Sequence, residues 1–533
     1  MNQNTRKRTI EKNQKQDIDQ IVSRVKFLPN LDSKFLKETL INLKKKWEYN
    51  QQQRIKFVED PEKFMESESD LNTTIHELKL FAANPSMYED ILSFPNFIET
   101  VQNLISHENN DISQSILEAL NEFIEEDADI EEDKENYTTK FAVTLLQNGI
   151  LEIVVDNMFR LKNQNNDSSF DSENKSIFVS FNMIENFLEM DEKVTEFFNK
   201  KPEFFTFILD ISQNAAQNFN ANMEYASEIL AILVQSNEKN QEILGKAENL
   251  DKLMHIINSF KAIKTTGDLD EFVQNIFDSL CSCLMNTKIQ DQFRNLEGIE
   301  LLLIMIKKNK QQFPSLKALD FAIMNNPESC KYFIEKALGL KIIFSLLMRQ
   351  KLKSKKNAKK SKEKKENERK FDEFIFSILL SLMNQSAELN YARVVNKFIE
   401  KNHEKTEKML DIFQKWNKKL IKGMILIQNE EDQNKIKKDL LDEITEEEKE
   451  YEKYTQKLNF GLLILQSISV IVLKLFVFSE NSKIKILEIL NRKKIEFNYI
   501  VNLVNEFFSN LDEESGDRKI LEDLLILVRK SLN

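Results

Sequence analysis

The sequence predicts an all-α fold, a right-handed superhelical solenoid of short stacked helices. Three observations carry this. Turn formers are scarce, with 8 Gly and 7 Pro in 533 residues, whereas a sheet needs a tight turn at nearly every strand end. Hydrophobic residues make up 41% of the chain and charged ones 30%, and they alternate at helical spacing, as buried stripes and exposed faces require. Finally, a pattern of short, medium and long helical segments returns about every 50 residues, at the upper edge of the armadillo/HEAT range.

Residues 1–17 are polar and read as a tail, with Arg6, Lys7 and Arg8 as a small basic cluster. Residues 18–84 read as a helical cap over the open end of the stack, a device every solenoid needs. Within it, two helices broken at Pro29 place Leu36, Leu40, Leu43 and Trp47 on one face. The chain then stops and restarts at Asp60-Pro61. Asp60 can accept from the free N–H groups of the next turn, and Pro61 suits the first helical position. Ser69 or Asp70 is placed to cap the following helix, whose face runs Leu71, Ile75, Leu78, Ala82 until Pro85.

Armadillo-like repeats fill residues 85–350. Their triplets read Ser86–Phe94, Phe97–Ile105, Asp111–Ile124; then Tyr137–Gln147, Ile150–Leu161, Lys175–Met190; then Asp191–Asn199, Glu203–Gln213, Asn222–Gln235; then Glu238–Lys246, Leu250–Phe260, Asp270–Met285. Beyond them the pattern degrades, with helices expected at Ile299–Lys307, Ser315–Met324 and Cys330–Met348. A Lys-rich stretch at 351–370 has no apolar face and reads as a solvated loop or frayed helix. Degenerate repeats (371–428), an acidic linker (429–452) and a C-terminal helical region (453–533) complete the chain. Phe460–Phe478 is mostly apolar but contains Gln466, Ser467, Ser469 and Lys474, so it reads as a buried helix rather than a membrane span.

Charge is segregated. The net charge is −12, yet 351–370 holds 11 basic against 3 acidic residues, leaving about −20 on the remainder. An acidic body favours basic partners over a phosphate backbone. The 3 Cys cannot frame a disulfide scaffold, and Cys281 and Cys283 point apart on one helix. The 4 His are scattered, no Gly-rich phosphate loop can be assembled, and Phe residues sit at core spacing. No catalytic set, metal site or cofactor is expected from such a pattern.

Three blocks of words carry a resemblance. R-I-K-F at Arg54–Phe57 precedes D-P-E-K-F-M-E-S-E at Asp60–Glu68 and D-L-N at Asp70–Asn72. Ala226–Gln235, Asn240–Gly245 and Asn275–Met285 form the second block, and Gly461–Gln466 the third. Together they resemble the beta-catenin-like protein 1 family, nuclear armadillo-type splicing factors, from about Trp47 to the C-terminus.

The resemblance implies a nuclear protein associated with the nineteen complex of the spliceosome. It also implies binding of Lys/Arg-rich, import-signal-like segments of splicing factors, among them the Myb-domain subunit of that complex. No cofactor, membrane or direct nucleic-acid contact is implied, and an importin partner and a homodimer stay open.

Candidate peptide-binding residues follow from position. Asn121 and Asn186 occupy matching points of successive third helices, where they serve either as a ladder for a peptide backbone or as buried bonds between repeats. Glu125, Glu126, Asp127 and Asp129 begin an anionic run that reads as a binding rim or as a solubilising loop. Arg6, Lys7 and Arg8, with Lys355, Lys356, Lys359 and Lys360, are candidate import signals or solvated charge; the resemblance favours import for the first cluster. Two alternatives remain: an importin-alpha-like transport adaptor, which would need the Asn ladder to continue, and a structural solenoid without a groove.

Overall fold

Asp32 caps the first helix by accepting from the N–H groups of Lys34 (3.1 Å) and Phe35 (2.8 Å). From there the computed structural model describes residues 31–125, 137–163, 170–349, 362–437, 446–513 and 515–532. Among the described residues there are 26 α-helices and no strand. They fall into two units, Met1–Ile211 with Asn220–Ile229, and Ser212–Phe219 with Leu230–Asn533.

The first unit opens with α1 (Ser33–Lys56) and α2 (Met65–Lys79). Leu36, Leu40 and Leu43 of α1 are buried as expected, but the seam then continues through Asn50, while Trp47 is only half-buried. Asp60 caps nothing; it pairs with Lys63 at 2.6 Å, and Pro61 starts a single 3-10 turn. The next helix begins at Met65, so Ser69 and Asp70 lie inside it rather than at its cap. Its buried face runs through Leu71, Ile75 and Leu78, and then Phe81 in place of Ala82.

The words of the first sequence block form one polar network between the cap and the first triplet. Asn50 donates to Ser67 Oγ (2.9 Å), which donates to Phe64 O (2.6 Å). Arg54 lies over the Phe64 ring, 4.7 Å from its centroid, and pairs with Glu68 and Glu108. Asn109 donates its amide to Glu68 at 2.8 Å. His107 Nδ1 accepts from Asn109 N–H (3.0 Å), so Nε2 carries the proton and donates to Asn50 Oδ1 (3.0 Å). Burial, then the Arg54 charge, pushes the His107 imidazole down to about 4.

Triplets follow: α3 (Tyr88–Leu92), α4 (Phe97–Ile105), α5 (Asn110–Ile124); then α6 (Tyr137–Gln147), α7 (Ile150–Asn163), α8 (Phe170–Met190); then α9 (Val194–Phe197), α10 (Pro202–Ser212), α11 (Ala221–Gln235), whose residues from Leu230 on belong to the second unit. Tyr88, Phe123 and Phe141 pack together with ring centroids 5.0–5.2 Å apart. Helix α5 lies on α2, and α8 lies on α5.

In the second unit come α12 (Glu238–Leu244), α13 (Ala247–Ser259), α14 (Asp268–Cys283), then α15 (Thr287–Asn295), α16 (Gly298–Lys308), α17 (Gln312–Ile323), then α18 (Pro327–Glu335), α19 (Leu340–Arg349), α20 (Lys362–Gln385). The triplet pattern therefore stays regular where degradation was expected. Helix α15 lies outside the segments expected from the sequence, since only Ile289, Gln290 and Phe293 of it are buried. Cys330–Met348 is two helices, parted at Leu338 and Gly339, where Leu338 takes φ +52°. Part of the Lys-rich stretch is helical, since α20 begins at Lys362.

The chain closes with α21 (Glu388–Lys437), α22 (Glu446–Asn459), α23 (Leu462–Phe478), α24 (Glu480–Lys493), α25 (Phe497–Ser509) and α26 (Gly516–Leu532). Helix α21 breaks at Glu400–His403, with left-handed backbone at Lys401, Asn402 and His403. It runs into the stretch expected as an acidic linker, which α22 re-enters from its far end.

Helix α23 is buried along nearly its whole length, packed on by α20, α21, α24, α25 and α26. No single helix among the described residues is long and apolar enough to cross a membrane; α22 and α23 qualify only as a pair bent by 80°. Gly461 makes that bend with φ +96°, and the Trp416 ring covers the place a Cβ would take. Trp416 itself is fully buried and donates Nε1–H to Asp372 at 2.8 Å.

Candidate functional site

Successive third helices of the first unit present one continuous polar face. On α8, Asn182, Glu185, Asn186 and Glu189 follow at helical spacing, opposite the buried Ile184 and Phe187. Asn186 Nδ2 donates to Asn121 Oδ1 on α5 (3.1 Å) and lies 3.3 Å from Asn182 Oδ1. The two expected ladder residues thus meet each other, with Asn121 buried. Glu125 closes the C-terminus of α5, exposed to solvent, with its N–H on Asn121 O. Beside it a small recess is lined by Ile124, Asn186, Glu189 and Met190. Glu126, Asp127 and Asp129 lie outside the described residues, as do Arg6, Lys7, Arg8, Lys355, Lys356, Lys359 and Lys360.

Electrostatics sets this face apart from its neighbour. Toward α2, the carboxylates of α5 are neutralised, for Lys79 reaches Glu122 (2.7 Å) and Glu118 (3.8 Å). Toward α11, carboxylates meet carboxylates. Burial, then the charges of Glu228 and Glu189, pushes Glu185 up to about 7. Tyr225, edge-on to Phe178 with centroids 5.2 Å apart, has its hydroxyl pushed up by burial and then by Glu185, Glu228, Glu224 and Glu125. Burial and neighbouring like charges both favour the protonated carboxyl, and a nearby cation would favour the ionised one. Among the described residues, neither Glu125, Glu185 nor Glu189 forms an ion pair.

Glu185, Glu189, Glu228 and Tyr225 were not singled out from the sequence. The signal was present, because Glu185 and Glu189 sit one residue before and three after Asn186 on the same face. What hid them is that acidic residues are common on every solvated helix.

No group of three His, Cys, Asp or Glu able to hold a metal occurs among the described residues. All three thiols are buried, and burial pushes Cys281 and Cys330 up to about 12, which leaves them inert as nucleophiles or ligands.

Comparison with known proteins joins this geometry to a lineage. A family model described as "Catenin-beta-like, Arm-motif containing nuclear" matches residues 10–505. The chain is 29% identical over 493 residues to "Beta-catenin-like protein 1" of Homo sapiens, covering 91% of this chain and 83% of the human one. It is 27% identical over 493 residues to "Beta-catenin-like protein 1 homolog" of Schizosaccharomyces pombe, covering 91% and 80%.

Proposed function

The chain belongs to the catenin-beta-like family of Arm-motif containing nuclear proteins, and from that premise we propose a non-enzymatic nuclear scaffold of the pre-mRNA splicing machinery that holds Lys/Arg-rich segments of splicing factors. The partners proposed are those the family resemblance implies, with the Myb-domain subunit of the nineteen complex among them. The observation that carries the reading is the acidic face on which Glu125, Glu185 and Glu189 form no ion pair among the described residues, with Glu185 raised to about 7 by burial and then by the charges of Glu228 and Glu189. A disordered basic segment supplies cations to these carboxylates. Each exposed pair contributes on the order of 0.2–1 kcal/mol, so affinity comes from several together and falls with salt.

A full-length protein with Glu125→Lys, Glu185→Lys and Glu189→Lys tests this against a capped Lys/Arg-rich peptide by calorimetry at two salt concentrations. Binding should be lost with the helical spectrum intact. Equal affinity in both proteins, or no dependence on salt, refutes the reading.

A further inference from the structure

We infer that a cleft in the second unit, near the starts of α14, α17 and α20, docks a proline-rich segment of a partner protein in the extended polyproline form. The cleft has a volume of about 680 Å³, and its whole lining belongs to that unit. It shares no residue with the acidic face of the first unit, and its ligand is uncharged rather than basic.

The polar groups of the lining are weighted toward donors. Gln274 spends one amide N–H on Asp278 Oδ2 (3.0 Å) and Gln312 one on Ile306 O (3.0 Å), so each keeps a second. Asn309 and Asn367 are exposed, and their side-chain amides bond to nothing among the described residues. Lys310, also exposed, forms no ion pair among them. The first turn of α17 adds backbone N–H groups for which the helix has no carbonyl. The carboxylates, by contrast, are engaged. One oxygen of Asp270 takes the Thr265 hydroxyl, and Glu368 is held by Lys415 at 2.9 Å. Between these polar groups lie Phe313 and Phe371, both half-buried, with Phe313 backed by Phe374 at 5.7 Å between centroids.

A proline-rich chain complements such a lining. Its backbone offers a carbonyl at every residue and no N–H at proline, so it uses donors and asks for few acceptors. An ordinary extended segment would instead bring an N–H at each residue to a surface already weighted toward donors. The pyrrolidine rings pack on aromatic faces, and the polyproline form is set before binding, which limits the conformational freedom lost. At about 3.1 Å per residue, a cleft of this size takes a few residues at a time. No two of the 7 prolines in this chain are adjacent, so neither the chain nor a second copy of it supplies the ligand. The occupant is a different protein.

The test titrates a capped octaproline peptide into the full-length protein by calorimetry. A control peptide has alternate prolines replaced by alanine, which restores backbone N–H groups and loosens the polyproline form. The octaproline peptide should bind about tenfold more tightly than the control, and Phe371→Leu should weaken it about fivefold. Asn367→Asp, at an exposed position, removes two donors at constant shape, so it keeps the test valid should the Phe371 variant fail to fold; a weakening of about threefold is expected. Glu185→Lys with Glu189→Lys should leave octaproline binding unchanged. Equal affinity for the two peptides, no effect of Asn367→Asp, loss of binding in the Glu185 and Glu189 variant, or no binding at all overturns the inference. Neither peptide carries charge, so each of these outcomes is separate from the capture of basic segments by the first unit.

Discussion

Asn186 donates its amide to Asn121 Oδ1 across 3.1 Å, linking two successive third helices. A hydrogen bond of this kind fixes the spacing of repeats, and it occupies the acceptor that a peptide N–H would otherwise seek. Under the proposed function, recognition would then fall to the carboxylates around the pair, which set no fixed register for a basic segment.

If the Glu185 proton yields to a bound cation, affinity for a basic peptide should rise with pH. Its carboxyl, held up at about 7 by burial and by Glu228 and Glu189, is largely protonated at pH 6 and ionised at pH 8, a window in which Lys and Arg do not titrate. Calorimetry should show about threefold to tenfold tighter binding at pH 8. Glu185→Gln should flatten the profile.

Arg54 is the fastening of the cap. Its side chain and that of Glu68 are both mostly buried, so removing one leaves an unpaired charge. Arg54→Ala should cost about 3–5 kcal/mol in urea unfolding. Arg54→Lys should recover only part, since an ammonium cannot stack on Phe64 and serve two carboxylates as a planar fork does.

Acid should loosen the same junction. His107 has an ordinary value of 6.5 and a folded one of about 4, so between these pH values the unfolded chain binds a proton that the folded one refuses. Stability is therefore complete above pH 6.5 and falls as pH drops toward 4, by on the order of 3 kcal/mol. The difference between wild type and His107→Gln, measured across that window, isolates this contribution from other titrating groups.

Asp320 acts in the opposite sense. It is buried on α17, one oxygen has no hydrogen-bond partner, and burial pushes it up to about 7 against the Ser377 hydroxyl. The folded state favours the protonated acid, so stability declines as pH rises from 3.8 to 7. Asp320→Asn should stabilise the protein at pH 8 by roughly 1–4 kcal/mol and have little effect at pH 4.

Gly461 should tolerate no side chain. Alanine there adds the cost of a left-handed backbone and drives a methyl into the Trp416 ring, together about 2–5 kcal/mol. Thermal unfolding of Gly461→Ala measures it, and an unchanged midpoint would mean that the α22–α23 bend relaxes freely.

Local pattern alone settled the all-α class, the triplet order and most of the buried faces, because a stack of short helices draws each contact from near neighbours in the chain. Leu36, Leu40, Leu43, Leu71, Ile75 and Leu78 were all legible as core for that reason. Where the signal was weak locally, tertiary structure decided. It made a helix of Thr287–Asn295, whose burial rests on only a few side chains, and it parted α22 from α23 at a single left-handed glycine.

The polar sites divide in the same way. Asn121 and Asn186 could be matched by position, but only three-dimensional packing showed that they bond to each other. That Arg54, Asn50, Ser67, Glu68 and His107 form one network was hidden in a run of family-like words, because its partners are up to 57 positions apart. Charge effects resist reading for the same physical reason: Glu185 holds its proton through burial and through carboxylates delivered by other turns and another helix. No spacing rule along one strand of sequence contains that information.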